Sequence, residues 1–257
     1  MPSATSRSTA SSRASRADAG ARVHVGTSGW AYASWRGPFY PAGVRPAELL
    51  HFYGSRFDTV EVNQTFRTLP DADAVAAWCA AVPRGFRFAL KAPATITHYR
   101  RLQNVAEPLA AFLDVARRLG TRRGPLLVQL HPTMRRDLER LDAFLERVPR
   151  GFAIALEVRH PSWLDDATYT LLRRRRVALC IADGEGLDVP LVATAPFGYV
   201  RLRRDDYAAA ALRRWATALR GVRGWRDVWV YLRHDDAGRA PARAQALLDA
   251  LGGARPA

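Results

Sequence analysis

A chain of 257 residues with 48% apolar side chains is long enough to bury one sizeable core, and an α/β barrel of this length is routinely a single domain. No run of about eighteen apolar residues occurs, so no membrane span is predicted. Cys79 and Cys180 lie far apart in apolar segments, which indicates free thiols rather than a disulfide or a metal site. The net charge of +15 favours polyanion binding, but arginine on solvated helix faces accounts for it equally well.

The composition changes after residue 21. Residues 1–21 are rich in Ser, Ala and Arg and contain no apolar segment, so they predict a disordered tail rather than a secretory signal. A transit peptide is the compositional alternative. We therefore expect a barrel domain over residues 22–252, a short C-terminal tail over 253–257, and a cytoplasmic location.

Short apolar segments rich in β-branched residues recur along the domain, and such continuous runs are typical of strands covered on both faces. Eight strands are predicted: Val23–Thr27, Phe57–Val62, Phe86–Lys91, Pro125–Leu130, Phe152–Val158, Val177–Asp183, Gly198–Leu202 and Asp227–Leu232.

Helical patterns lie between most of these strands. Asp71 caps a predicted helix that ends at Pro83, a second begins at Glu107 and stops at Gly120, and a third follows Thr133 and ends near Pro149. Further helices are predicted at 46–54, 164–176, 206–220 and 240–251, whereas residues 184–196 predict a loop. Repeated β-then-α units predict an α/β fold of the (β/α)₈ TIM-barrel type. An open doubly wound sheet is the alternative, but Gly26–Trp30 lacks the glycine spacing of a dinucleotide-binding turn.

Each predicted strand ends in a polar side chain, and the active site of a TIM barrel lies at these C-terminal ends. Burying such groups without partners costs free energy, so their presence at all eight ends predicts a binding site. The residues are Ser28, Glu61, Asn63, Lys91, Gln129, Glu157, Arg159, Asp183, Arg201 and Tyr231.

Lys91 is the only lysine in the chain, and the other 38 basic side chains are arginine. A lysine that loses its proton is a base or a nucleophile, whereas a guanidinium stays charged at any usable pH. Lys91 is therefore predicted to be a general base or an imine-forming amine, with Glu61 or Glu157 as its proton partner. A buried ion pair with one of the nearby carboxylates is the structural alternative.

The charges at the strand ends predict the ligand. Three carboxylates and three cations balance, which favours an anionic or sugar-like molecule over a carboxylate-rich divalent metal site, so no cofactor is expected. Further roles follow from residue type: Arg159 and Arg201 clamp the anion, Asn63 and Gln129 orient it, His98 and His160 are auxiliary acids, and Trp30 and Trp163 form walls.

In their order, the motifs along the chain resemble the DUF72 (YecE-like) family over about residues 23–250. The resemblance rests on Gly26–Trp30, Trp35–Gly37, Phe39–Pro41, Phe57–Asn63, Ile96–His98, Glu157 with Arg159–Trp163, and Tyr199 with Arg201. It implies a TIM-like barrel and a fold-level kinship with sugar isomerases and related barrel hydrolases. The chain departs from the family pattern at Gln64–Arg67, His131, Arg203–Arg204 and Arg233–Asp236.

Two functions remain open on these residues. The first is an enzyme of isomerase, lyase or hydrolase type that acts on a small anionic or sugar-like molecule at the barrel mouth. The second is a nucleic-acid-binding or nucleic-acid-processing barrel that uses the basic surface. A ligand sensor without catalysis is a third possibility.

Overall fold

The strands form as the apolar segments predict. The computed structural model describes residues 21–184, 186–233 and 238–252, and its eight strands are β1 Arg22–Thr27, β2 Thr59–Val62, β3 Arg87–Lys91, β4 Arg123–Gln129, β5 Ile154–Glu157, β6 Ala178–Asp183, β7 Phe197–Leu202 and β8 Asp227–Leu232. All neighbouring strands are parallel, in the order β1-β8-β7-β6-β5-β4-β3-β2. The predicted (β/α)₈ barrel is thereby confirmed.

The helices cover the outside of this barrel. They are α1 Leu49–Gly54, α2 Ala72–Ala81, α3 Ala106–Arg118, α4 Leu138–Glu146, α5 Asp166–Arg175, α6 Ala209–Gly221 and α7 Ala240–Ala250. The segment after Thr133 is not yet helical, because α4 is capped later, by an Asp137 side chain that accepts from the amide of Arg140 at 2.9 Å. Between β6 and β7 the described residues contain no helix, as predicted from their composition.

Side chains alternate between the two faces of each strand, and this alternation separates two hydrophobic cores. Side chains on the outer face pack against the helices in one large core, which includes Val60, Leu90, Leu156 and Val200. Those on the inner face form a smaller core inside the barrel. Because successive strand residues point to opposite faces, this parity decides which polar side chains reach the barrel interior.

The barrel closes at a narrow seam between β1 and β2. An isolated bridge joins Ser28 to Glu61, and the strands approach so closely that a Cβ on Gly26 would lie 2.1 Å from the carbonyl oxygen of Thr59. The Tyr53 hydroxyl replaces part of the missing ladder: it accepts from the Thr27 amide at 2.9 Å and donates to the Thr59 carbonyl at 3.1 Å. A side chain from α1 thus joins the two strands.

Replacing Tyr53 with phenylalanine is expected to lower the free energy of unfolding by about 1–3 kcal/mol, because the buried Thr27 amide loses its acceptor. Urea unfolding followed by circular dichroism measures the change. Tyr99→Phe is the matched control, since Tyr99 is 80% exposed. Coincident unfolding curves for the two variants would show that the Tyr53 hydroxyl does not stabilise the seam.

Some predictions concern residues outside the described ranges. Residues 1–20 and 253–257, which hold the predicted tails, and His234–Asp236 of the divergent turn lie outside them. Within the described ranges, no helix has the length and apolarity needed to cross a membrane. Cys79 and Cys180 are free thiols, as expected.

Candidate functional site

The inner face of the barrel changes from apolar to polar towards its C-terminal mouth. One set of inward side chains consists of small and aromatic residues: Ala89, Leu127, Ala155, Cys180, Tyr199 and Tyr231. At the next inward position of β2, β3, β4, β5 and β7 the side chains are polar or charged: Glu61, Lys91, Gln129, Glu157 and Arg201. Five of the residues predicted from the strand ends therefore lie in one layer of the barrel interior.

Arg201 lies at the centre of this layer and joins two carboxylates from different strands. Its Nη1 donates to Glu157 Oε2 at 2.6 Å and its Nη2 donates to Glu61 Oε1 at 2.8 Å. The three side chains are at most 1% exposed. The guanidinium consequently links β2 and β5 across the barrel interior from its own position on β7.

Both carboxylates accept further hydrogen bonds. Glu61 accepts from the Ser28 hydroxyl and the Tyr199 hydroxyl, each at 2.8 Å. Glu157 accepts from the Gln129 amide at 2.9 Å and from Arg159 Nε at 2.5 Å. Every carboxylate oxygen in the layer therefore has a donor, as buried charges require.

These contacts keep the two carboxylates ionised. Burial alone raises the pKa of a carboxyl group, but attraction to Arg201 and the hydrogen bonds outweigh it. The pKa of Glu61 consequently lies below its ordinary value, and that of Glu157 falls to about 2. Burial also opposes the charge of Arg201, yet the two carboxylates raise the pKa of the guanidinium well above its usual range.

Lys91 ends β3 beside this network without joining it. Its Nζ lies 4.0 Å from the centroid of the Phe66 ring, and no carboxylate oxygen of a described residue lies within 4.0 Å of it. Burial and then the charge of Arg201 lower the pKa of Lys91 to about 8, although Glu61 and Glu157 act in the opposite direction. The sole lysine is thus a half-buried amine that titrates near neutral pH, and it is not part of an ion pair with these residues.

Two further cations stand at the mouth. Arg159 is 19% exposed, and Arg203 Nη1 lies 3.5 Å from the Ser28 hydroxyl. Together with Lys91 and Arg201 they make four cationic groups against two carboxylates, Glu61 and Glu157, among the described side chains of the site. Cations therefore outnumber carboxylates in this described set, because Asp183 is not in it and Arg203 is.

Asp183 lies on the other face of its strand. It follows Cys180 by three residues, so it points away from the barrel interior, where it accepts from Arg204 Nε and from the Tyr207 hydroxyl, each at 2.9 Å. Tyr231 does face inward, but it is fully buried and its hydroxyl lies 2.7 Å from Thr59 Oγ1. Neither side chain joins the polar layer.

The two predicted histidines are placed differently. The His98 ring meets Phe66 edge-on at 4.9 Å, so it lies near Lys91, and burial followed by the charge of Lys91 lowers its pKa to about 4. His160 instead caps a short turn, with Nδ1 accepting from the amide of Ser162 at 3.1 Å. His98 is therefore a neutral imidazole at neutral pH, and the hydrogen bonds of His160 are local.

The remaining predicted residues lie around the mouth or beneath it. Asn63 begins the short turn after β2, and its Oδ1 is buried without a hydrogen-bond partner. Trp30 is half-buried and packs edge-on against Trp78 at 5.5 Å. Trp163 has no exposed surface, and its Nε1 donates to the Met134 carbonyl at 2.7 Å, so it leaves no face for a ligand.

Comparison with known proteins assigns this barrel to a family. Residues 24–257 match the family model described as protein of unknown function DUF72. The chain belongs to the DUF72 family. It is also similar to the UPF0759 protein YecE of Escherichia coli strains K12 and O157:H7, with 32% identity over 142 residues in each case. That match covers 55% of this chain and 50% of the relative, so the chain spans about half the length of the curated relatives it matches.

Solved structures of DUF72 proteins share the fold. A DUF72 family protein from Thermotoga maritima has a TM-score of 0.73 and 22% identity, over 90% of this chain and 99% of its own. One from Enterococcus faecalis has a TM-score of 0.76 and 19% identity, over 91% of this chain and 97% of its own. At these identities the similarity shows the fold alone.

Residues that the strand-end prediction omitted also contact the polar layer. Tyr199 binds Glu61, and its spacing of two from Arg201 on the same strand was a usable signal. Arg203, two residues beyond Arg201, follows the same rule. Phe66 carried no signal, because its contact with Lys91 depends on how the turn after β2 folds back over β3.

Among the described residues, no three His, Cys, Asp or Glu side chains are grouped so that they could hold a metal ion. Glu61 and Glu157 are separated by the guanidinium of Arg201. The expectation of a metal-independent protein stays a prediction.

Proposed function

We propose that this protein is an enzyme that acts on a small anionic, sugar-like molecule at the mouth of the barrel, with Lys91 as the group that attacks a carbonyl carbon or removes a proton. One observation carries the proposal. The only lysine lies at a strand end among three arginines, yet its amine has no carboxylate partner within 4.0 Å in the described part of the chain. Groups whose proton affinity is shifted in this way cluster at functional sites.

The surroundings of Lys91 suit amine chemistry. Arg201 and Arg203 disfavour the ammonium form, and a neutral amine is the nucleophile in imine formation. It adds to a carbonyl carbon to give a carbinolamine, which loses water to form the imine. The same neutral amine is a general base for a proton next to a carbonyl group. Both reactions are typical of isomerases and lyases that act on sugars.

The excess of cations over carboxylates among the described side chains of the site favours an anionic substrate. Arg201 has both amino groups engaged by carboxylates, so we assign it the role of holding Glu61 and Glu157 rather than of clamping the ligand. Arg159 and Arg203 lie further towards the mouth and are the proposed anion contacts. Asn63 and His98 are proposed to orient the substrate, since a buried amide oxygen without a donor and a neutral imidazole both accept hydrogen bonds.

Reductive trapping tests the proposed amine. The protein is incubated with pyruvate, dihydroxyacetone phosphate, or neutral dihydroxyacetone, and borohydride then reduces any imine to a stable secondary amine. Modified Lys91 resists trypsin, so the adduct appears by mass spectrometry in the peptide 88–100, which contains no other primary amine in its side chains. The anionic compounds are expected to label this peptide at least about tenfold more than the neutral one, as a gain of one charge-assisted contact implies.

Three results distinguish the alternatives. The first is an adduct on Lys91 whose yield falls in Arg159→Gln for the anionic compounds but not for neutral dihydroxyacetone. This result supports imine chemistry with an anion contact at Arg159. Protection of Lys91 from acetylation by the same anions, without an adduct, supports the general-base role. Neither an adduct nor protection by any compound contradicts the proposal.

The charge distribution at the mouth also bears on the size of the ligand. Counted from the last residue of each strand to the first turn of the next helix, the described residues there include fifteen cations and thirteen carboxylates. This near balance favours a small ligand held by a few central arginines over a nucleic acid strand at this end. A cytoplasmic location stays a prediction.

A further inference from the structure

Arginines outnumber carboxylates most strongly at the end of the barrel opposite the mouth. Each helix runs from the mouth to this end, because it connects the C-terminal end of one strand to the start of the next. We define the N-terminal face as the last turn of each helix, the segment that follows, and the first residue of the next strand: residues 22, 51–59, 78–87, 115–123, 143–154, 172–178, 194–197, 218–227 and 247–252. This face contains seventeen arginines and four carboxylates.

Helix capping explains only part of this charge. Cations in the last turn of a helix interact favourably with its dipole, which accounts for Arg117, Arg118, Arg220 and the run 173–175. That effect falls off within the last turn. The other arginines of the face lie at helix C-caps, in the connecting segments or at the starts of strands, and most of them are beyond the last turn of any α-helix: Arg22, Arg56, Arg84, Arg87, Arg122, Arg123, Arg147, Arg150, Arg176, Arg223 and Arg226.

Two joined clefts cross the N-terminal face. The larger, of about 770 Å³, is lined by Arg150 and by the run 174–176 at the end of α5. The smaller, of about 350 Å³, is lined by Arg123 and Arg226. Both contain Gly151, Ala153, Pro196 and Phe197, so they form one continuous groove with arginines along its length.

The arginines of the groove are partly fixed in position. Arg174 donates to Asp142 at 2.7 Å, and Arg175 contacts both Asp142 and Glu146. Arg150 and Arg176 are exposed and make no ion pair with a described residue. The groove thus combines oriented guanidinium groups with cations that have no carboxylate to neutralise them.

We propose that the N-terminal face binds the phosphodiester backbone of a nucleic acid without regard to base sequence. A row of phosphates matches a groove lined with arginine, since guanidinium groups bind phosphate oxygens in pairs and release condensed counterions. Base stacking is not required: the Phe152 ring in the groove is covered by Arg123 at 4.3 Å and by Arg117 at 5.6 Å.

A membrane surface fits this face less well. Peripheral helices that bind bilayers insert large apolar side chains among their cations. Among the described residues the exposed large hydrophobic side chains are Tyr99 and Leu191, and neither lies on the N-terminal face. The mouth also remains open when this face is occupied, because the two lie at opposite ends of the barrel.

Fluorescence anisotropy with a labelled oligothymidylate of about 20 nucleotides tests the proposal, with potassium chloride varied between about 50 and 200 mM. The full chain is expected to bind, with an affinity that falls steeply and log-linearly with salt. The triple variant R150Q/R176Q/R226Q, which changes three arginines of the groove, is expected to bind at least about tenfold more weakly and with a slope reduced by about two, at about 0.7 per lost phosphate contact. All three arginines are exposed and make no ion pair with a described residue, so folding, followed by circular dichroism, should be unchanged.

The triple variant R67Q/R135Q/R214Q is the matched control. It removes the same charge from exposed arginines outside the N-terminal face and is expected to change the affinity by less than about threefold, since only general screening is altered. Equal losses in the two variants would overturn the proposal, because net charge rather than the face would then govern binding. Three other outcomes would also overturn the proposal. They are an absence of binding at the lowest salt, binding of polyglutamate as tight as that of the oligonucleotide, and binding to phosphatidylserine vesicles but not to the oligonucleotide.

Discussion

Acetylation of Lys91 in the folded protein is expected to follow a pH profile with a midpoint near pH 8, because burial and the charge of Arg201 lower the pKa of this amine. At pH 7 about one tenth of the amine is then neutral, against roughly one part in 2,500 for a lysine of ordinary pKa. When each rate at pH 7 is divided by the rate of the same residue at high pH, where the amine is fully neutral, the value for Lys91 is therefore about 200-fold larger than that for an unperturbed lysine. Competitive isotope labelling with acetic anhydride measures the profile on the tryptic peptide 88–100.

The unfolded chain supplies the control for this measurement. In guanidinium chloride the same residue loses its burial and its arginine neighbours, so its midpoint is expected to return to about 10.4. Arg203→Gln is expected to raise the midpoint in the folded protein, since Arg203 lowers the pKa of Lys91, whereas Arg204→Gln on the neighbouring position is expected to leave it unchanged. A folded-state midpoint above about 10 would refute the activated amine.

Removing Arg201 is expected to be the most destabilising single substitution in the site. Arg201→Gln leaves Glu61 and Glu157 buried without their shared cation, and breaking a buried ion pair in this way costs about 3–5 kcal/mol. Chemical denaturation at pH 7 measures the loss. Arg204→Gln is the control, because Arg204 is 62% exposed and an ion pair made by such an exposed side chain contributes little to stability.

The same substitution reverses the dependence of stability on pH. In the wild type the pKa of Glu157 is lowered to about 2, so its contribution is present above the unfolded value near 4.5 and is lost as the pH falls between the two. In Arg201→Gln the burial that opposes ionisation is no longer offset, so the pKa values of both glutamates rise. The loss of unfolding free energy in the variant, relative to the wild type, is then largest at neutral pH. It becomes smaller as the pH falls through these raised pKa values. A deficit independent of pH would mean that lost packing, not uncompensated charge, causes the destabilisation.

Much of the fold was predictable because the relevant signals are local. Strands such as β6 and β8 are continuous apolar runs with recognisable turns at each end, and Asp71 begins its helix by capping Ala74 with its own side chain. The start of α4 was predicted too early, since residues after Thr133 were assigned to the helix although Asp137 provides the cap. Local chemistry thus fixes the elements and leaves their ends uncertain by a few residues.

The site was predictable in its location but not in its connections. The strand ends predicted that Glu61, Lys91 and Glu157 lie close together, as they do in the structure, yet nothing in the sequence pairs Arg201 with both glutamates at once. The odd spacing of Asp183 from Cys180 puts the two on opposite faces of β6, but both faces of that strand are otherwise apolar, so the sequence did not show which face is the inner one. The neutral balance expected for the strand-end set was consequently replaced by an excess of cations among the described side chains in and beside the polar layer.

The amino-acid sequence by itself determined the (β/α)₈ architecture, the set of polar strand ends, and the presence of a single lysine, because each depends on residue type and short-range spacing. Only the tertiary structure decided that Arg201 bridges two strands, that Lys91 stands apart from every described carboxylate, and that the arginines at one end of the barrel far outnumber the carboxylates there. Those properties arise from residues far apart in the chain, which closure of the barrel brings within a few ångströms of one another or onto a common face.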